Sequence, residues 1–306
     1  MANSASKSRS KSQTKPASTA NRQTGSLFPK PNAAVALVYD VYDSRGRLVT
    51  RPKVYRTPLE RRRRAAPDKL AKAGEIRVTS DGDSWVNILW PLSAVAGYSQ
   101  TFFDIIEADP RYYATGTAYP GDTFQQIRVE KDYRQNVASE SFDYFIMSAG
   151  GNDFLGGGAL RNLLRWREEG DGIDPTSHLN MPWLQMSLET LRSGYQEIAD
   201  DVRSISGAKR TKMLVNTYDY PTPRPDGIWL GKPLIQKGYN LRTDKILIDK
   251  IMKHLVDAFC LTLRRVKHIT VVDVRDTVKG RWTDELHPKK AGSIDVAKKF
   301  KAVMEA

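Results

Sequence analysis

Five short runs of apolar and β-forming residues recur along the chain, and helical spacing fills the gaps between them. They are 75–80 (EIRVTS), 112–119 (YYATGTAY), 142–149 (FDYFIMSA), 211–218 (TKMLVNTY) and 269–274 (ITVVDV). Between the third and the fourth, Leu184, Leu188, Leu191, Tyr195, Ile198, Val202 and Ile205 step by three and four, as one face of a long amphipathic helix does. Further helices are expected over most of 85–108, over 122–134 and over 241–265. A last helix is expected with Pro288 in its first turn and Ile294, Ala297, Phe300 and Met304 facing inward. Strands that alternate with helices imply an α/β chain with a five-stranded parallel sheet and helices on both faces. Ligands of such sheets bind beyond the carboxyl ends of the strands, so the segments that follow each strand carry the functional expectation.

Four of those segments hold candidate chemistry. In DGDSW (81–85), Ser84 lies on a tight turn after the first strand. It serves either as a helix cap or as an exposed hydroxyl whose amide donates to a developing oxyanion. In YPGDTFQQI (119–127), Gly121 is either an ordinary turn glycine or a point of close backbone approach to a ligand. In SAGGNDFLGGG (148–158), Gly150 and Gly151 bring Asn152 to a strand end with little bulk around it. Asn152 is either a left-handed turn residue or a side-chain oxyanion donor, with Asp153 fixing the loop. In WTDELHPKKAG (282–292), Asp284 and His287 are close enough in sequence for a carboxylate to hold Nδ1–H and leave Nε2 as a base. With four histidines and no further ligand pattern beside this pair, no metal site is expected.

Taken together and in this order, the four segments resemble the blocks of the SGNH/GDSL hydrolase family. Gly82, Asp83 and Ser84 match its Gly-Asp-Ser block, and Gly121 its second-block glycine. Gly150, Gly151, Asn152 and Asp153 match Gly-x-Asn-Asp, while Asp284, His287 and Pro288 match Asp-x-x-His-Pro. The resemblance spans residues 74–306. Trp85 departs from it, since family members often carry Leu or Ile there. It implies a flavodoxin-like three-layer α/β/α sandwich and an ester hydrolase without cofactor. In that reading Ser84 is the nucleophile, His287 the base and Asp284 its orienting partner. The amides of Ser84 and Gly121 and the side chain of Asn152 form the oxyanion hole, with Asp83, Gly150 and Asp153 in support. The substrate expected is a small ester, a lipid or an acetylated sugar.

Composition adds a second theme. The net charge is +13, and it sits in residues 1–73, where 17 Lys and Arg face 4 Asp and Glu, while residues 74–306 are balanced. Residues 1–32 hold no acid and few apolar groups, which reads as a disordered basic tail. Residues 33–73 read as a basic extension with a hairpin around SRGR and a short helix at 58–73 carrying Arg61–Arg64. That charge is either a solvated arm or a binding element for an anionic polymer or membrane surface. A binding module directed by this segment is thus the alternative to an enzyme. The single Cys260 excludes a disulfide framework. No apolar leader precedes residue 27, and the longest uncharged run, 84–103, contains Asn87, Pro91 and Gln100, so a soluble protein, cytoplasmic by default, is expected.

Overall fold

The apolar runs become the strands of one parallel sheet. A computed structural model of the chain describes residues 41–42, 48–50, 73–90, 92–139, 141–156, 158–205 and 211–306. Near the N-terminus, β1 (Val41–Tyr42) pairs antiparallel with β2 (Leu48–Thr50) at the expected hairpin. The tail at 1–32 and the helix expected at 58–73 fall outside the described residues, apart from residue 73. The main sheet contains β3 (Ile76–Gly82), β4 (Tyr112–Gly116), β5 (Tyr144–Ser148), β6 (Lys212–Asn216) and β7 (Ile269–Val272). Its order is β4-β3-β5-β6-β7, and every pair is parallel. β5, the most apolar run, is buried along its whole length at the centre, as a strand covered on both faces must be.

Two helical layers cover the sheet. α1 (Phe102–Glu107) packs on α9 (Lys290–Met304), where Phe102 and Phe300 stack with centroids 4.6 Å apart. In the other layer, α6 (Met181–Ser204) packs on α2 (Phe124–Glu130) and on α8 (Lys245–Leu263). Gly194 lets α2 and α6 meet, because a Cβ there would lie 2.4 Å from the ring of Phe124. Shorter helices fill the connections: α3 (Asp132–Ser139), α4 (Gly151–Phe154), α5 (Ala159–Leu163) and α7 (Gly231–Gln236). The chain passes from β3 outward to β4 and then returns to the other side of β3 to form β5. The crevice between β3 and β5 is therefore the topological switch point, where such sheets bind ligands.

The structure corrects three expectations. Residues 85–108 are mostly not α-helical: a turn over 84–86 leads to a 3₁₀ segment at Leu92–Ala96, and α1 begins only at Phe102. Asn87 bonds the amide of Leu89 and the carbonyl of Ala118, Leu89 is left-handed, and Thr101 with Asp104 forms the capping box that starts the helix. The helix expected over 122–134 divides at Lys131, whose left-handed backbone ends α2 before α3 begins. Pro288 precedes its helix, since it bridges to Trp282 and α9 starts two residues later. On α9, Val296 is buried with Ala297, Phe300 and Met304, whereas Ile294 is only half-buried.

Candidate active site

The backbone around Ser84 is set by Gly82. Gly82 has φ +146°, and a Cβ on it would lie 2.2 Å from the carbonyl oxygen of Ser148, so β3 approaches β5 this closely only with glycine. The amide of Asp83 then donates to that same carbonyl at 2.8 Å. The Asp83 carboxylate accepts from the Trp85 amide (3.0 Å), the Ser148 hydroxyl (3.2 Å) and the Tyr218 hydroxyl (2.5 Å). Burial pushes the Asp83 carboxyl up to about 6, with those donors pulling the other way. Ser84 is therefore held on a turn braced from three sides. No helix starts at Ser84, and its hydroxyl lies 2.8 Å from Nε2 of His287.

His287 is delivered by a tight turn after β7. Thr283 donates to the carbonyl of His287 at 2.7 Å, and Lys289 to that of Arg281 at 2.7 Å. Inside this turn, Asp284 Oδ2 lies 2.7 Å from Nδ1 of His287, while Oδ1 accepts from the amides of Leu286 (2.7 Å) and His287 (2.8 Å). Burial opposes ionisation of Asp284, yet the His287 ring and these amides outweigh it and hold the carboxyl below the usual carboxylate range. Tyr98 donates to Oδ2 of Asp284 at 2.9 Å, and its ring stands edge-on to His287 with centroids 5.4 Å apart. The Trp85 indole donates to the carbonyl of Leu286 at 3.0 Å, which ties the serine turn to the histidine turn.

Asn152 comes to the same place from β5. Gly150 has φ +99°, and Gly151 packs so closely on Tyr218 that a Cβ would lie 2.8 Å from its ring. Asn152 uses one amide hydrogen on the carbonyl of Asp122 at 2.9 Å, which leaves the second for another acceptor. Asp153 accepts from the Phe124 amide at 2.7 Å and so fastens this loop to the start of α2. Burial pushes its carboxyl up to about 6. A cavity of about 370 Å³ is lined by Ser84, Asn152 and His287 together with Trp85, Tyr218 and Trp282. Gly121 lies in the turn beside Asp122 with φ +84° but is not among the lining residues. The amides of Ser84 and Gly121 have no acceptor among the described residues.

Several neighbours of the site escape a reading of the sequence. Glu285 is buried, and its carboxylate accepts four backbone hydrogens, from Arg224 (2.8 Å), Trp229 (2.9 Å), Leu230 (2.9 Å) and Gly231 (2.8 Å). Arg224 in turn donates to the carbonyls of Thr283 (2.8 Å) and Trp282 (3.0 Å). The long connection after β6 is thereby locked to the histidine turn. Gly227 packs against Glu285 so closely that a Cβ would overlap the carboxyl, a faint sequence signal for this lock. Of the aromatics in the long connections at 154–183 and 218–240, Tyr218 lines the cavity. Phe154 and Trp229 are core residues, Tyr220 bonds Asp257, and Trp166 and Trp183 are exposed. Among the described residues there is no group of three or more side chains able to hold a metal, and no helix long and apolar enough to cross a membrane.

No family model and no curated protein matches the chain. Solved structures do match. One, from Slackia heliotrinireducens, is assigned by its name to the SGNH hydrolases; it is 11% identical over 75% of this chain and 99% of its own, with a TM-score of 0.47. An extracellular lipase of Streptomyces rimosus is 14% identical over 72% and 98%, also at 0.47. An acetyl xylan esterase, AlAXEase, is 15% identical over 74% and 99%, at 0.44. The parallel sheet of order β4-β3-β5-β6-β7, covered by helices on both faces, is an α/β/α fold, and Ser84, Asn152 and His287 meet at one cavity beyond the ends of its strands.

Proposed function

We propose that the protein is a serine hydrolase that cleaves carboxylic esters. The observation that carries this reading is the unbroken hydrogen-bond chain Asp284–His287–Ser84, at 2.7 and 2.8 Å, on a cavity shared with Asn152. Ionised Asp284 holds Nδ1–H and leaves Nε2 to take the Ser84 proton as Oγ bonds to the ester carbonyl carbon. The charge that develops on the carbonyl oxygen is received by the free amide hydrogen of Asn152 and by the amides of Ser84 and Gly121. The C–O bond to the alcohol then breaks, and Nε2 returns the proton to the leaving oxygen. Water attacks the acyl-enzyme by the same route and restores Ser84. Each step uses only these groups.

The test is hydrolysis of phenyl acetate by Asn152→Ala. Loss of one oxyanion donor is expected to lower kcat by about 10²–10³, and an unchanged kcat removes Asn152 from the hole. Tyr98 supplies a second prediction. Its hydroxyl spends part of the charge of Asp284, so Tyr98→Phe leaves that carboxylate freer to stabilise the imidazolium. The rising limb of the kcat/KM pH profile is expected to move to higher pH, with kcat/KM lowered below that limb and the plateau above it kept. A profile that overlays the wild type would contradict the coupling.

A further inference from the structure

Tyr218 takes no part in the proton transfers, yet its buried hydroxyl stands between the two loops that must act in register. It donates to Oδ2 of Asp83 at 2.5 Å and accepts from the Gly151 amide at 3.0 Å. Asp83 directly precedes Ser84, and Gly151 directly precedes Asn152. We infer that Tyr218 is a positioning residue whose hydroxyl sets the spacing between the Ser84 nucleophile and the oxyanion donor of Asn152. The inference rests on the serine-hydrolase reading and adds to it the group that holds two of its parts at working distance.

The hydroxyl can do this because neither its proton nor its ring is free to go elsewhere. A phenol has one hydrogen, and the Asp83 carboxylate takes it, which turns a lone pair to the Gly151 amide. Burial and the Asp83 charge hold the Tyr218 phenol well above its ordinary range, so it stays protonated. The ring is enclosed. Trp85 stands edge-on to it with centroids 5.2 Å apart, and Phe259 lies tilted at 5.5 Å. On a third side, Gly151 is so close that a Cβ would lie 2.8 Å from the ring. The two loops depend on this hydroxyl unequally. The serine turn keeps the Trp85 amide and the Ser148 hydroxyl on Oδ1 of Asp83. The Gly151 amide has Tyr218 as its acceptor. Beyond Gly151, the Asn152 side chain reaches Asp122 and Asp153 reaches the Phe124 amide, which fastens the loop toward α2 rather than toward Ser84. An oxyanion donor works only close to the charge it receives, and a misplacement on the order of 1 Å can cost about 10²-fold in rate.

The test is a double-variant cycle on phenyl acetate. Rates are taken per Ser84 titrated with a fluorophosphonate, so unfolded chain does not count as lost catalysis. Tyr218→Phe removes the hydroxyl and keeps the ring. It is expected to lower kcat by about tenfold or more with KM within about twofold, because the donor it positions acts on the transition state. In the Asn152→Ala background the same substitution is expected to cost less than about twofold, since the donor is already gone. Tyr195→Phe is the comparison: its hydroxyl bonds the amide (3.2 Å) and the carbonyl (2.8 Å) of Ala149 at the same strand end, rather than Asp83. It is expected to lower Tm and to keep kcat within about twofold. An unchanged kcat in Tyr218→Phe overturns the inference, as does a loss that multiplies in full with that of Asn152→Ala. An equal loss of kcat in Tyr195→Phe also overturns it, because general loosening of the loop would then account for both. A wild-type chain with no titratable Ser84 instead removes the serine-hydrolase reading itself, and the two failures are thus distinct.

Discussion

Ser84→Ala is expected to lower kcat for ester hydrolysis by about 10⁶ while leaving the fold in place, the scale at which removing a serine nucleophile acts. The turn that carries Ser84 does not depend on its hydroxyl. It is set by Gly82 against Ser148 and by the Asp83 carboxylate, which accepts from Trp85, Ser148 and Tyr218. The variant loses the contact of Oγ with His287, worth about 1 kcal/mol of stability. Asp284 continues to hold the imidazole through Nδ1. The prediction is therefore a separation of activity from stability, read by initial rates on phenyl acetate beside thermal unfolding. Activity retained within tenfold would show that another group attacks the ester.

Glu285→Ala is expected to do the opposite and strike stability first. The substitution leaves four buried amides, those of Arg224, Trp229, Leu230 and Gly231, without their acceptor. Breaking a buried, hydrogen-bonded charge of this kind costs about 3–5 kcal/mol, or roughly 10 °C in Tm for a domain of this size. Glu285→Gln keeps the shape but turns an NH₂ toward one pair of amides. One oxygen serves Arg224 and Gly231 and the other Trp229 and Leu230, so half of the bonds survive. Its loss is expected to fall between wild type and alanine. Equal Tm values for wild type and Glu285→Ala would show that the connection after β6 is held by other contacts. Because Arg224 also grips Thr283 and Trp282, the glutamine variant should raise KM, through a loosened cleft wall, more than it lowers kcat.

The contrast between these residues also marks what the sequence made legible. Ser84, Asn152 and His287 stood out because each follows a strand whose apolar run is unmistakable and each is flanked by residues that only a special backbone requires. Gly82 and Gly150 are glycines for steric reasons that act locally. The strands themselves were legible because a parallel strand covered on both faces must be apolar throughout. Glu285 was not, because one residue from Asp284 it looks like any surface carboxylate, and its partners lie 54 to 61 positions away. Tyr98 is 186 positions from the carboxylate it serves. The stretch after Ser84 was misread as helix because its apolar content is high, while Asn87 and the left-handed Leu89 decide its path through side-chain bonds that no periodicity carries. Trp85 and Trp282 reach the cavity from short turns, whereas Trp166 and Trp183 in the long connection are exposed.

The central claim is that Ser84 is an activated nucleophile, and covalent labelling tests it most directly. On incubation with a fluorophosphonate, one adduct per chain is predicted, mapped to Ser84 by peptide mass and absent in Ser84→Ala. A wild-type chain that stays unmodified, or an adduct that persists in Ser84→Ala, would contradict it.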